Sequence, residues 1–137
     1  MKPTLTHLAL GVRSLDRSVD FYARHAGLRV VHDRLDHGTR VVWLAERDDP
    51  DFVLVLFEVP GEPPPAPSTL QHLGFAVASR EDVDAAAAGG RAEGLVAIEP
   101  ADGGPVVGYF CILRDPDGNG VEFSFGQSIR PRDLPTT

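Results

Sequence analysis

Two histidines occupy the same place in a short repeated segment. "LTHLALGVRS" begins at Leu5 and "LQHLGFAVAS" begins at Leu70, which places His7 and His72 at equivalent positions. One histidine in an apolar strand is usually a core residue, but a matched pair in a repeat is less easily explained by packing. Because imidazole is a common metal ligand, the two histidines are candidate ligands of one divalent ion.

Strand alternation separates these histidines from the bulky residues around them. Successive side chains of a strand point to opposite faces, so the bulky face of each segment suits packing against a helix. Apart from the histidine, the other face carries only glycine and alanine, and these small residues leave room for a bound ion or ligand. These faces consist of His7, Ala9 and Gly11 in the first copy, and of His72, Gly74 and Ala76 in the second.

A carboxylate in the last apolar segment completes a candidate site. In "GVEFSFG", alternation puts Val121, Phe123 and Phe125 on one face and leaves Glu122 with Ser124 on the other. A half-buried carboxylate is costly unless it is paired or binds a cation. His7, His72 and Glu122 together make a facial triad with open positions for a substrate.

The elements that position these residues occur in the same order in each half. An amphipathic helix is predicted between the N-cap Ser14 and the stop at Gly27, and a glycine-weakened, alanine-rich helix spans 80–94. The other periodic segments read as strands, the late ones being "LVAIEP", "VVGYFCILRD" and "NGVEFSFG". We therefore expect one α+β domain of two βαβββ modules, about 5–59 and 70–127, with a proline-rich linker at 60–69.

Composition limits the partners. The chain has 20 acidic and 13 basic residues and a formal net charge of −7, which disfavours nucleic acid and anionic membranes as partners. No apolar run approaches the roughly 20 residues of a membrane span. Cys111 is the only cysteine, which fits a reducing compartment. We expect a cytoplasmic protein whose partner is a small molecule.

The sequence resembles the vicinal oxygen chelate superfamily, also called the glyoxalase/bleomycin-resistance/dioxygenase family. The resemblance covers about residues 5–127 and rests on "THLALGVRSLDRSVDFY", "LQHLGFAV" and, most specifically, "RDPDGNGVEF". It implies that the paired modules curl into an open cup around a metal. Matched position by position, it also implies that His7, His72 and Glu122 are the ligands.

The branch within this family stays open. Glyoxalase I and methylmalonyl-CoA epimerase place a fourth ligand on the last strand of the first module, where our alignment puts Leu56. Glu58 lies two residues further on, either as a fourth ligand or base or as a solvated rim residue. Extradiol dioxygenases and fosfomycin-modifying thiol transferases use three ligands, but commonly carry a tyrosine where this chain has Ile112.

The function expected from these residues is that of a divalent-metal enzyme. Fe, Mn, Zn, Ni or Co would act as a Lewis acid on a small oxygen-chelating substrate, in lyase, isomerase or dioxygenase chemistry. Phe110 and Ile112 would line an apolar pocket. The alternative is a non-catalytic protein that binds a drug or metabolite, as bleomycin-resistance proteins do. Apolar sheet edges predict a homodimer.

Overall fold

The chain divides into two compact units, residues 1–65 and 66–137, and the computed structural model describes residues 2–61 and 71–134. The elements of the first unit are β1 (His7–Val12), α1 (Leu15–Ala26), β2 (Arg29–Asp36), β3 (Thr39–Ala45) and β4 (Val53–Glu58). Those of the second are β5 (His72–Ala76), α2 (Arg80–Ala92), β6 (Val96–Asp102), α3 (Gly104–Val107), β7 (Tyr109–Arg114) and β8 (Gly120–Phe125). A short 3-10 helix follows at Pro131–Asp133.

Each unit contains one open four-stranded mixed sheet. The strand orders are β1-β4-β3-β2 in the first sheet and β5-β8-β7-β6 in the second. In both, the first strand of the unit pairs in parallel with the last, and the remaining pairs are antiparallel. The predicted βαβββ order is confirmed in both units, with α3 as an additional short helix in the second.

Local sequence signals account for the bounds of α1. The Ser14 side chain accepts a hydrogen bond from the backbone N–H of Arg17 at 3.4 Å, which satisfies one of the free donors of the first turn. The helix ends at Gly27, which adopts the left-handed conformation with φ of 67° that glycine reaches without strain. Both predicted ends of this helix are confirmed.

The cores of the two units are built from the helix-facing sides of their sheets. In the first unit, buried residues of α1 pack with alternate residues of β3 and β4; this core includes Leu15, Phe21, Tyr22, Val42, Leu44, Leu54 and Leu56. In the second unit, α2 packs on β7 and β8, and the buried apolar residues include Val83, Ala87, Cys111, Leu113, Val121 and Phe123. Burial of these faces is the main favourable term in folding of each unit.

Gly90 has a packing role in α2 that its low helix propensity does not indicate. A Cβ at Gly90 would lie 2.4 Å from Cδ2 of Leu113, so the helix approaches β7 too closely for any side chain at this position. The sequence pattern marked Gly89 and Gly90 only as residues that weaken the helix. Gly90 instead permits the helix–sheet contact, whereas Gly89 lies on the exposed side.

A short helix stands where the start of a strand was predicted before β7. Val106 and Val107, predicted to begin a strand, belong instead to α3, which is closed by hydrogen bonds from Gly103 N to Gly108 O and from Gly108 N to Gly104 O. Of the predicted linker 60–69, Pro60 and Gly61 form a turn, and residues 62–69 lie outside the described residues. In the described ranges, no helix has both the length and the apolar character that a membrane crossing needs.

Candidate functional site

His72 and Glu122 meet on one face of the second sheet. Nε2 of His72 lies 2.8 Å from Oε2 of Glu122, and the side chains are 33% and 7% exposed. The parallel register of β5 and β8 pairs Gly74 with Glu122, and His72, two residues earlier on β5, lies on the same face, so its imidazole reaches the carboxylate. Two of the three predicted ligands therefore lie in direct contact within this unit.

Gln127 holds the second oxygen of this carboxylate. Its Nε2 donates to Oε1 of Glu122 at 3.2 Å and to the backbone oxygen of Val107 at 3.1 Å. Gln127 was not predicted from the sequence, because it stands just after the last strand in a segment without periodicity. Such contacts orient a metal-binding carboxylate and are worth about 10–100-fold in metal affinity in known sites.

Two glycines shape the surroundings of the pair. A Cβ at Gly120 would lie 3.0 Å from Cβ of His72 and 3.2 Å from the backbone oxygen of Gln71, so glycine lets β8 approach the histidine closely. A Cβ at Gly74 would meet no atom within 4 Å. The space that the sequence predicted beside the histidine face thus exists at Gly74, on the face that carries Glu122.

The two faces of β7 differ in character. Register pairs Ile112 with Glu122 and Phe110 with Ser124, which places both apolar residues on the face of the candidate ligands. Cys111 points to the opposite face, where it is fully buried, and burial raises the pKa of its thiol to about 11. A thiol with this pKa stays protonated near neutral pH, so Cys111 is a packing residue and not a nucleophile.

His7 occupies the corresponding position of the first unit. It lies on β1 and is exposed, and its Nδ1 is 3.0 Å from Oγ1 of Thr6. In the tautomer that carries the proton on Nδ1, this N–H donates to Thr6 and leaves the lone pair of Nε2 for a metal. Within residues 2–61 and 71–134, no three or more His, Cys, Asp or Glu side chains are grouped closely enough to hold a metal. The set of three ligands stays a prediction.

A cavity of about 460 Å³ adjoins His7 within the first unit, and we call it the His7 cavity. It is lined by Thr6, His7, Ala9, Arg34, Trp43, Pro50, Asp51, Phe52, Val53 and Val55. The register of β1, β4 and β3 places Ala9, Val55 and Trp43 on the same sheet face as His7. Trp43 is thus half-buried in a cavity wall, and Arg34 is a lining residue that the sequence analysis did not identify.

Glu58 lies on the other face of the first sheet. The parallel register pairs His7 with Val53 and Val12 with Glu58, so Glu58 shares the α1-facing side with Leu56, which is fully buried. Its Oε2 accepts a hydrogen bond of 2.7 Å from the backbone N–H of Leu15, the first residue of α1. On the face of His7, the β4 residues on either side of Leu56 are Val55 and Phe57, and neither has a metal-binding group.

This placement gives Glu58 a structural role that can be tested. A carboxylate at a helix N-terminus satisfies a free donor and interacts favourably with the helix dipole. We expect Glu58→Gln to lower the free energy of unfolding by about 0.3–1 kcal/mol, since the acceptor is kept and the charge is lost. Glu58→Ala should cost about 1–2 kcal/mol, because the N–H of Leu15 then loses its acceptor. Chemical denaturation measures both changes.

Metal titration of the same variants separates this role from ligation. If Glu58 only anchors α1, both variants should bind a divalent ion within a few-fold of the parent protein. A drop in metal affinity of Glu58→Gln comparable with that of Glu122→Gln would contradict the structural assignment and restore Glu58 as a fourth ligand.

Comparisons with known proteins agree with the fold. The sequence pattern of the Glyoxalase/Bleomycin resistance protein/Dioxygenase superfamily matches residues 4–123. A relative, the uncharacterized protein PA2024 of Pseudomonas aeruginosa, is 45% identical over 134 residues, which cover 96% of this chain and 94% of that protein. The resemblance that the histidine strands and the Asp-Pro-Asp-Gly turn predicted is confirmed.

Solved structures share the arrangement at low sequence identity. A glyoxylase/bleomycin resistance protein/dioxygenase domain from Frankia sp. matches with a TM-score of 0.75 and 21% identity over 93% of this chain and 100% of that one. The trypanothione-dependent glyoxalase I of Leishmania major gives 0.71 and 24%, over 91% and 88% of the chains. A variant of the fosfomycin resistance protein FosX of Listeria monocytogenes, complexed with Mn(II) and 1S,2S-dihydroxypropylphosphonic acid, gives 0.71 and 19%, over 96% and 98%. The predicted α+β fold is confirmed, and the chain belongs to the Glyoxalase/Bleomycin resistance protein/Dioxygenase superfamily.

Proposed function

We propose that this chain is a divalent-metal-dependent enzyme that acts on a small oxygen-chelating substrate, in lyase, isomerase or dioxygenase chemistry. The observation that supports this best is the contact between His72 and Glu122 beside the open space at Gly74. Relatives give the proposal its context, since FosX was solved with Mn(II). Fe, Mn, Zn, Ni and Co are all compatible with imidazole and carboxylate donors.

The donor atoms of this pair fit a metal ion. Two ligand atoms that each lie about 2.1 Å from an ion, at roughly a right angle, are about 3 Å apart. The 2.8 Å between Nε2 of His72 and Oε2 of Glu122 is close to this value. Imidazole and carboxylate are also the donors that catalytic sites with open positions use. His7 is the third proposed ligand, and its Nε2 is free to bind when Nδ1 donates to Thr6.

The chain's own residues would prepare this site. Gln127 fixes Oε1 of Glu122, so the carboxylate keeps one oxygen directed at His72. Phe110 and Ile112 would cover the same face with apolar surface and limit the access of water. A bound divalent ion would polarise a substrate oxygen and stabilise negative charge that develops on it. We further propose that modules 5–59 and 70–127, joined by 60–69, act as one domain, since each carries at least one of the proposed ligands.

A non-catalytic binding protein is the second candidate, and the mostly apolar His7 cavity favours it. Titration of the metal-free protein with Mn²⁺ or Zn²⁺, followed by calorimetry, distinguishes the two. The enzyme should take up about one ion per chain. Its turnover of an oxygen-chelating substrate, sought in a panel with anaerobic controls, should stop on chelation. Ligand binding that survives chelation, together with no specific metal uptake, would favour the binder.

We also propose that the protein forms a homodimer in the cytoplasm. The outer strands β1 and β2 of the first sheet carry exposed apolar side chains, Leu8 at 42% and Leu35 at 75% exposure. Unpaired strand edges with apolar residues are typical surfaces for association. Light scattering at micromolar concentration should give twice the mass of one chain. A monomeric mass under these conditions would contradict the dimer.

A further inference from the structure

We propose that the His7 cavity binds the apolar, aromatic body of an anionic substrate, and that Arg34 binds its carboxylate or phosphoryl group. This inference rests on the proposed function, because it treats the cavity as the part of the substrate site next to His7. It names a substrate class that neither the family nor the candidate ligands specify. It depends on residues of the first unit alone.

The walls of the cavity suit a flat apolar group. Most of the lining residues are apolar, and two of them, Trp43 and Phe52, are aromatic. Phe52 is 43% exposed and immediately precedes β4, whose residues are all buried or half-buried. An aromatic side chain that stays accessible in a concave surface would bury more of its apolar area against a ligand. A planar apolar ligand would therefore be favoured there. The volume of about 460 Å³ is in the usual range for small-molecule sites.

Arg34 supplies the positive charge in this cavity. Its guanidinium lies 5.6 Å from the centroid of the Trp43 ring, which holds the side chain at the wall. Within the described residues its ionic contact is with Asp36 at 3.5 Å, and the side chain remains 39% exposed. This long contact leaves the planar fork of N–H donors open to a carboxylate or phosphoryl group, which it fits in a bidentate manner.

The acidic residue of the lining has an arginine partner of its own. Asp51 pairs with Arg47 at 2.8 Å, and the same arginine donates to the backbone oxygen of Asp49 at 3.0 Å. Asp51 therefore opposes the charge of Arg34 only weakly. A protein with a net charge of −7 repels anions at long range, so an anionic ligand needs such a local cation. Arg34 and the aromatic wall together define an amphipathic anion as the ligand.

The single tryptophan makes the cavity directly observable. Trp43 is the only tryptophan of the chain, so its fluorescence reports on this wall. The metal-free protein is titrated with phenylacetate, phenylphosphonate and the neutral phenylacetamide. We expect saturable changes with at least one anion, and a Kd at least about 10-fold lower than that of the amide. The anion that binds more tightly distinguishes a carboxylate from a phosphoryl group. Arg34→Met should remove the advantage of the anions.

A matched arginine provides the control. Arg29 is also on β2 and exposed, it pairs with Asp48, and it does not line the cavity, so Arg29→Met should leave all three Kd values unchanged. Equal affinities for the anions and the amide, or anion binding that survives Arg34→Met, would overturn the inference. Fluorescence responses without specific metal uptake would leave the cavity assignment intact and reject the metal enzyme. Specific metal uptake without these fluorescence responses would reject the cavity assignment and leave the metal enzyme intact.

Discussion

Replacing His72 with alanine is expected to reduce the affinity of the protein for a divalent ion by at least about 100-fold. The basis is the contact of 2.8 Å between its Nε2 and the carboxylate of Glu122. Residues that only orient a ligand are typically worth about 10–100-fold, so loss of a ligand should exceed that range. Glu122→Gln should cause a loss of similar size, because the amide is a much poorer ligand than a carboxylate.

A graded series of variants makes this prediction specific. Gln127→Ala should weaken metal binding by about 10-fold, since it only holds Oε1 of Glu122. His37→Asn is the matched control, because His37 is 99% exposed and its φ of 50° is one that asparagine adopts readily. This control should bind metal like the parent protein. Calorimetric titration of the metal-free variants measures the series, and circular dichroism checks that each is folded.

The outcome for His7 decides the number of ligands. His7→Ala should lower the affinity as much as His72→Ala if both histidines bind one ion. If His7→Ala binds the ion normally while His72→Ala and Glu122→Gln lose affinity, the site would be confined to the second unit. Undiminished binding in His72→Ala would reject the site altogether, whatever the other variants show.

The sequence predicted best what local interactions determine. Ser14 and Gly27 bound α1 because a side-chain cap and a left-handed residue act within one turn. The faces of β5 and β8 followed from alternation, since no irregularity interrupts their register, and so the contact of His72 with Glu122 could be anticipated. Regular strands preserve this information over their full length.

The sequence predicted less well what depends on register between strands. In β2 the pairing shifts between Val30 and His32, which turns the later residues of the strand to the opposite face and brings Arg34 to the His7 cavity. Simple alternation would place Val30 and Arg34 on the same face of the sheet, so the sequence does not predict the position of Arg34 in the cavity. The role of Glu58 likewise depends on the parallel pairing of β1 with β4, which no residue of β4 specifies by itself.

Tertiary contacts overrode local preference after β6. Val106 and Val107 are β-branched and favour strands, but they lie in α3, between Gly104 and Gly108 with positive φ values of 90° and 76°. A Cβ at Gly108 would lie 2.4 Å from the backbone oxygen of Phe125, so this turn is tied to β8. Gln127 lies two residues after Phe125. It donates to the backbone oxygen of Val107 in α3 as well as to Glu122, so its contact with Glu122 depends on the same packing.

The turn before β8 is expected to be the most sensitive structural element of the site. We predict that Asp115→Ala lowers the free energy of unfolding by about 2–4 kcal/mol. Asp115 is 4% exposed, and Oδ1 of its carboxylate accepts from the backbone N–H groups of Asp117 and Asn119, both at 2.9 Å. Its Oδ2 accepts from Nδ2 of Asn119 at 3.0 Å. Alanine would leave two backbone donors without this acceptor, and buried unsatisfied donors are costly.

This turn also places the ligands, so the effect should extend to the metal. Gly120 begins β8 directly after the turn and packs against His72, and Glu122 follows two residues later. Asn119→Ala is the matched control, because it removes one hydrogen bond and keeps the carboxylate; it should cost about 1 kcal/mol and leave metal affinity within a few-fold. Thermal unfolding and metal titration of both variants are the measurements. An Asp115→Ala protein as stable as the control would show that the carboxylate does not hold the turn. Normal metal affinity in a destabilised Asp115→Ala would show that the turn supports β8 without positioning Glu122.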